Sequence, residues 1–300
     1  MPGRVLTLFT NKDFDALEKM AAEYRASKAE YADGMQKLAF IYNGVTPSCD
    51  APDEIWQARQ IQLQDWIRAK PDSPTPRIAM ARLLTDYAWK ARGSGWAYKV
   101  KAEDWQTFYA RLQGGLRYLE SAKKLQEKCP AYWTSLQRIG LGLQFDRPLY
   151  DKIFTQATNE FPTYPTYYEL RAVYLLPRWN GNEGEWEADL AKSADRMGGD
   201  DGDVLYARVV WQMHLTYSSK NVFNENPGIS YTRVVRGFDA IIKRYPDSVA
   251  AKTELVHLAA LFGDKLRAKE YFLKINGQID ISLWDGKANF DTIYKWLFPT

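Results

Sequence analysis

The sequence predicts an all-α fold, a right-handed superhelix of antiparallel helix pairs built from degenerate repeats. Three observations predict it. No stretch shows clean apolar–polar alternation between turn residues, so strand signals are absent. Apolar residues recur instead at helical spacing along most of the chain. The third observation is punctuation: "IRAKPDSPTPRIAMARLL", "QEKCPAYWTSLQRIG", "TNEFPTYPTYYELRAVYLL" and "IKRYPDSVAAKTELVHLAALFGD" each close one helix at proline and open the next. Proline cannot continue a helix, and a serine or threonine beyond it caps the following one.

The elements follow in order. The first long helix starts near Asn11, with Asp13 in its first turn and Phe14, Leu17, Met20, Ala21 and Tyr24 on one face. Helices at 53–69 and 75–92 flank the first proline break. In the second of these, Ala81, Leu84, Ala88 and Ala91 form the inward arc, with Met80, Leu83 and Tyr87 beside it. Trp89 falls on a shoulder with Ile78 and Arg82. Helices at 103–127 and 131–142 flank Pro130, and those at 147–159 and 166–176 flank Pro162. Helices at 185–197 and 204–215 follow a Pro-Arg-Trp-Asn-Gly turn, and Asp200, Asp201 and Asp203 read as helix-start residues. Helices at 230–244, 248–261 and 265–275 complete the series, the last two joined by Gly263-Asp264.

Pro130 and Pro162 stand 32 positions apart, close to the roughly 34-residue period of tetratricopeptide repeats. The stretch Tyr231–Gly277 looks like a tetratricopeptide unit. In it Phe238, Ile241, Leu255, Leu258, Ala268 and Phe272 should be buried together. One continuous domain over 1–300 is expected, with a tetratricopeptide-like region at 216–300.

Three insertions interrupt the array: Ala91–Lys101, Tyr174–Glu187 and Lys220–Ile229. Long loops on one face of a repeat protein are where binding usually sits. "DYAWKARGSGWAYKV" (Asp86–Val100) and "YLLPRWNGNEGEWE" (Tyr174–Glu187), with "CPAYWTSL" and "FPTYPTYYELRA" between them, resemble the bacterial proteins of the domain of unknown function 4034 family over about 12–215. The resemblance implies an α-helical repeat fold and no assigned activity, so it transfers no catalytic residue.

The binding candidates are Trp89, Arg92, Trp96, Arg178, Trp179, Glu185 and Trp186. Arginine stacks on indole faces and forks onto carboxylates, so such a set builds a rigid loop or receives a ligand. The two loops are expected to meet and bury their tryptophans against each other. The bland alternative is two helix joins: Gly93 and Gly95 stop one helix, Asn180-Gly181 turns, and Glu183, Glu185 and Glu187 sit at the solvent-facing start of the next.

Other chemistry finds little material. "GSG" is too short for a phosphate loop, and "MGGDDGDVLY" lacks the ligand spacing of a calcium loop. His214 and His257, the only histidines, lie in apolar helical runs and read as core residues. Cys49 and Cys129 form no metal-ligand spacing, and a superhelix would hold them apart and unbonded. No catalytic residue, metal or cofactor is implied. Forty basic against 37 acidic residues leave +3, which gives no case for nucleic acid, and no apolar run approaches the roughly 18 residues of a membrane span. Read as complete, the chain is expected in the cytoplasm; read as lacking a removed leader, in the periplasm or outside. The function expected first is non-enzymatic, holding a protein or peptide partner in a groove. The alternative is a small-ligand binder or enzyme using the loops at 93–98 and 178–186.

Overall fold

Helices open where capping residues stand. In the computed structural model, which describes residues 2–31, 34–217 and 221–299, the side chains of Asp13, Asp146, Ser230, Ser248 and Asp264 each accept a backbone N–H from the first turn of the following helix. Such caps satisfy N–H groups that a helix start leaves without partners. Among the described residues the protein is all-α, with consecutive helices packed on one another and only an isolated bridge between Glu30 and Gln36.

The chain divides into two compact units. The first comprises Met1–Glu30 and Gln36–Leu170, and the second Tyr31–Met35 and Arg171–Thr300. The division at Leu170 falls inside the segment grouped by sequence as 12–215.

The first unit contains α1 (Pro2–Thr10), α2 (Phe14–Ser27), α3 (Lys37–Val45), α4 (Asp53–Ala69), α5 (Thr75–Arg92), α6 (Ala102–Lys123), α7 (Pro130–Gly142), α8 (Arg147–Glu160) and the start of α9 (Thr166–Tyr174). Helix α5 packs against α3, α4, α6 and α7, so it is buried well beyond the expected arc: Ile78, expected on a shoulder, is buried too. Trp56 stacks on Tyr87 at 4.9 Å between centroids, and Phe14 stacks on Trp66 at 5.8 Å. Glu18 closes this core from the side, accepting from Trp66 Nε1 (2.9 Å), Ser73 Oγ (2.8 Å) and Thr75 Oγ1 (3.2 Å). Both cysteines are free: Cys49 is exposed and Cys129 is buried, 3.1 Å from the Tyr42 hydroxyl.

The second unit contains the end of α9, then α10 (Glu185–Met197), α11 (Gly199–Tyr217), α12 (Val222–Glu225), α13 (Tyr231–Arg244), α14 (Val249–Phe262), α15 (Lys265–Lys274) and α16 (Lys287–Leu297). Lys220 of the third insertion lies outside the described residues. Helices α11 and α13 approach so closely that a Cβ on Gly237 would stand 2.1 Å from the Asp203 carbonyl oxygen. Phe238, Ile241, Leu255, Leu258 and Ala268 are buried as expected. Phe272 differs: it is half-buried, and its ring meets Trp284, Phe290, Tyr294 and Phe298 instead. Helix α15 buries Ala268 and Tyr271, with Ile275 just beyond its end. That places Phe272 one step round the helix, where α16, an element the periodicity did not signal, covers part of it.

Candidate functional site

A glycine-dependent turn positions the site in the second unit. After α9 the backbone folds back on itself: Trp179 N donates to Leu176 O (2.8 Å), Asn180 N to Tyr174 O (3.1 Å) and Gly181 N to Leu176 O (3.3 Å). A Cβ at Gly181 would lie 1.9 Å from the Leu175 carbonyl oxygen, so no other residue fits the turn as built. Gly184 then takes φ 76° at the N-cap of α10, a conformation that costs glycine least. Glu185 reaches back to accept from Asn182 N (2.9 Å) and Nδ2 (3.0 Å), which satisfies the turn. Arg171, itself buried, forks onto both oxygens of Asp189 at 3.0 Å and ties α9 to α10.

Beyond the turn, α10 points Trp186 and Glu187 inward. Trp186 is buried and donates its Nε1 to Asn226 Oδ1 (3.1 Å), while Asn226 Nδ2 donates to Val222 O (2.9 Å). These groups wall a cavity of about 690 Å³, lined among others by Arg178, Glu183, Trp186, Glu187, Glu225 and Asn226. That volume lies within the usual range for small-molecule sites. Glu187 is the unusual member. It is 6% exposed, its Oε2 has no hydrogen-bond partner, and burial raises its carboxyl above the ordinary carboxylate range. A buried carboxylate without a counter-charge is costly and marks a functional candidate.

Of the sequence candidates, Arg178 and Trp186 therefore line one cavity. Arg178 is exposed and makes no ion pair among the described residues, so its guanidinium is not committed to the fold. Glu185 caps the turn, and Trp179 is half-buried beside it. The expectation that the three glutamates all face solvent at the helix start fails for Glu187, because its position on α10 faces the Asn226-Pro227-Gly228 segment; a Cβ on Gly228 would lie 3.5 Å from Glu187 Cβ. Asn226 was not foreseen: its partner is 40 positions away, and no local pattern signals such a pairing.

The other three candidates belong to the first unit. Trp89 meets Phe108 edge-on at 5.0 Å, and Arg92 lies over Trp89 (5.8 Å) and Trp105 (5.6 Å). Arg92 Nη1 also donates to Gly93 O (3.0 Å) and Gly95 O (2.8 Å), pinning the glycine loop. Trp96 and Tyr98 project from that loop, 72% and 80% exposed. Trp96 thus leaves its ring exposed rather than buried as expected, while Trp186 is buried with its Nε1 on Asn226.

Residues 4–139 match the family model described as Domain of unknown function (DUF4034). This segment belongs to the domain of unknown function 4034 family. The match takes in the "DYAWKARGSGWAYKV" segment, with Trp89, Arg92 and Trp96, and stops short of the cavity at Arg178–Glu187. No curated protein matches the chain.

Proposed function

We propose that this protein binds a small zwitterionic molecule, of the size of an amino acid or short peptide, in the cavity between the Arg178 turn and α10. The observation that carries this reading is the Glu187 carboxylate, buried with one oxygen unpartnered while it walls a cavity that also presents Arg178. A ligand ammonium group satisfies Glu187, with Glu183 and Glu225 adding negative potential. Arg178, a planar fork of donors, takes the ligand carboxylate. Trp186 and Leu176 provide the apolar wall. The test is a calorimetric titration of amino acids and di- and tripeptides into the full chain. Saturable binding is expected for at least one class, weakened about tenfold or more by Glu187→Gln and by Arg178→Ala, with melting curves confirming that both variants fold. Absence of saturation across the panel, or binding indifferent to both substitutions, overturns the reading.

A second reading rests on a separate observation, the exposure of Trp96 and Tyr98 on a loop that Arg92 holds in shape. Exposed aromatics on a pinned loop suit contact with a protein or peptide. The helix–turn–helix of α14 and α15, closed by Gly263 at φ 86°, supports a tetratricopeptide-like interaction module. Capture of a binding partner that depends on Trp96 and Tyr98 supports this reading, and capture unaffected by their replacement with alanine removes it.

A further inference from the structure

The second unit holds another cavity, of about 620 Å³, between α11, α14 and α16. Both histidines of the chain line it. His214 stands on α11 and His257 on α14, and Trp211 packs against both rings, at 5.2 Å and 5.8 Å. His257 is 3% exposed with Nε2 unpartnered, and His214 Nδ1 is buried and unpartnered as well. Two buried imidazole nitrogens without partners, in the wall of an open cavity, are more than a packed core requires.

The chemistry of the remaining lining is one-sided. Asn289 Nδ2 is spent on Trp284 O (3.1 Å) and Thr292 Oγ1 on Ala288 O (2.9 Å). Asp285 lies at the wall with φ 52°, a left-handed conformation that aspartate tolerates better than most residues. It makes no ion pair among the described residues. Burial lowers the proton affinity of both imidazoles; at His257 the neighbouring His214 adds to this, and at both rings Asp285 opposes it without reversing it. Both rings are thus neutral at pH 7, and each offers an acceptor nitrogen. Asp285 is then the one formal charge in the lining, while Leu261, Ile293 and Trp296 supply apolar wall. Among the described residues, no group of three or more His, Cys, Asp or Glu side chains is placed to hold a metal ion.

We propose that this cavity is a second binding site, taking a small organic amine whose ammonium group pairs with the Asp285 carboxylate and whose apolar body lies along Leu261, Ile293 and Trp296. The single negative charge in the lining selects a cation over an acid of the same shape. The site is independent of the zwitterion cavity, with which it shares no lining residue.

The probe is 2-phenylethylamine, compared with phenylacetate and 2-phenylethanol, titrated into the full chain at pH 7.5 and followed by the imidazole NMR signals. The two histidines are the only ones in the chain and both line this cavity, so those signals report it alone. Saturable shifts are expected with the amine, and affinity about tenfold or more weaker for the acid and the alcohol. Asp285→Asn, at an exposed position where asparagine also accepts positive φ, should weaken the amine by about tenfold while leaving the melting curve unchanged. No saturation with the amine overturns the proposal, as does equal binding of the acid or alcohol, or an affinity that Asp285→Asn leaves unchanged.

Discussion

Replacing Glu187 by methionine should stabilise the protein. The side chain is 6% exposed and Oε2 has no partner. Leaving a buried polar atom unsatisfied costs roughly 1–3 kcal/mol. Methionine has nearly the same length and flexibility and no polar oxygen to bury, so the substitution should raise the unfolding free energy by about 1–2 kcal/mol at pH 8. The pH dependence separates this cause from improved packing. Burial raises the Glu187 carboxyl above its unfolded value of 4.5. Between the two values the folded state binds more protons than the unfolded one, so stability from this group is complete below 4.5 and falls as pH rises through the folded value. The advantage of Glu187→Met should therefore be largest at pH 8 and shrink toward pH 4.5. Urea titrations followed by circular dichroism at both pH values measure it. Destabilisation by Glu187→Met, or an advantage of the same size at both pH values, would refute the reasoning. A gain in stability accompanied by loss of ligand is the pattern of a residue kept for function.

His257 should show the opposite slope. Desolvation first, and His214 second, lower its value from 6.5 to about 4, so the unfolded state binds more protons in that window. Its contribution is complete above pH 6.5 and about 3 kcal/mol of it is lost by pH 4; a wild-type pH profile indistinguishable from that of His257→Leu argues against this. Gly181→Ala forces a Cβ into the Leu175 carbonyl oxygen and should cost more than about 2 kcal/mol, read from the thermal midpoint; a neutral result means the turn is built differently. Trp66→Ala removes a fully buried indole and a donor to Glu18 and should cost about 3–5 kcal/mol in urea denaturation. Trp96→Ala should change stability by less than about 0.5 kcal/mol, since the ring packs on little; a large loss in the same assay shows that the loop supports the fold.

The all-α class, most helix boundaries and the capping residues were legible because each depends on neighbours a few positions apart. Ser248, the serine beyond Pro246, caps the next helix as expected, and proline stops a helix wherever it stands. Asp13 and Ser230, expected inside their helices, stand just before them as N-caps. The short helices α1, α3 and α12, and α16 beyond the repeat-like stretch, were not signalled, and α16 explains the altered place of Phe272. The candidate loop was marked by its own residues, Arg178, Gly181 and Trp186, but not by what surrounds it. Glu185 and Glu187 are alternate residues at one helix start, so their sequence contexts are alike. One caps the turn and the other is buried in a cavity wall, because residues two apart on a helix face directions about 200° apart. The two histidines read as core residues from their apolar runs, and His257 is indeed buried; that they share a cavity with Asp285 depends on how α11, α14 and α16 pack. Local sequence thus determined the helices, their caps and the glycines of the turn, through short-range hydrogen bonding and steric limits. Which carboxylate lost its water, and which imidazoles lost their partners, was decided by tertiary packing, since desolvation depends on every element that closes around a group rather than on its neighbours in the chain.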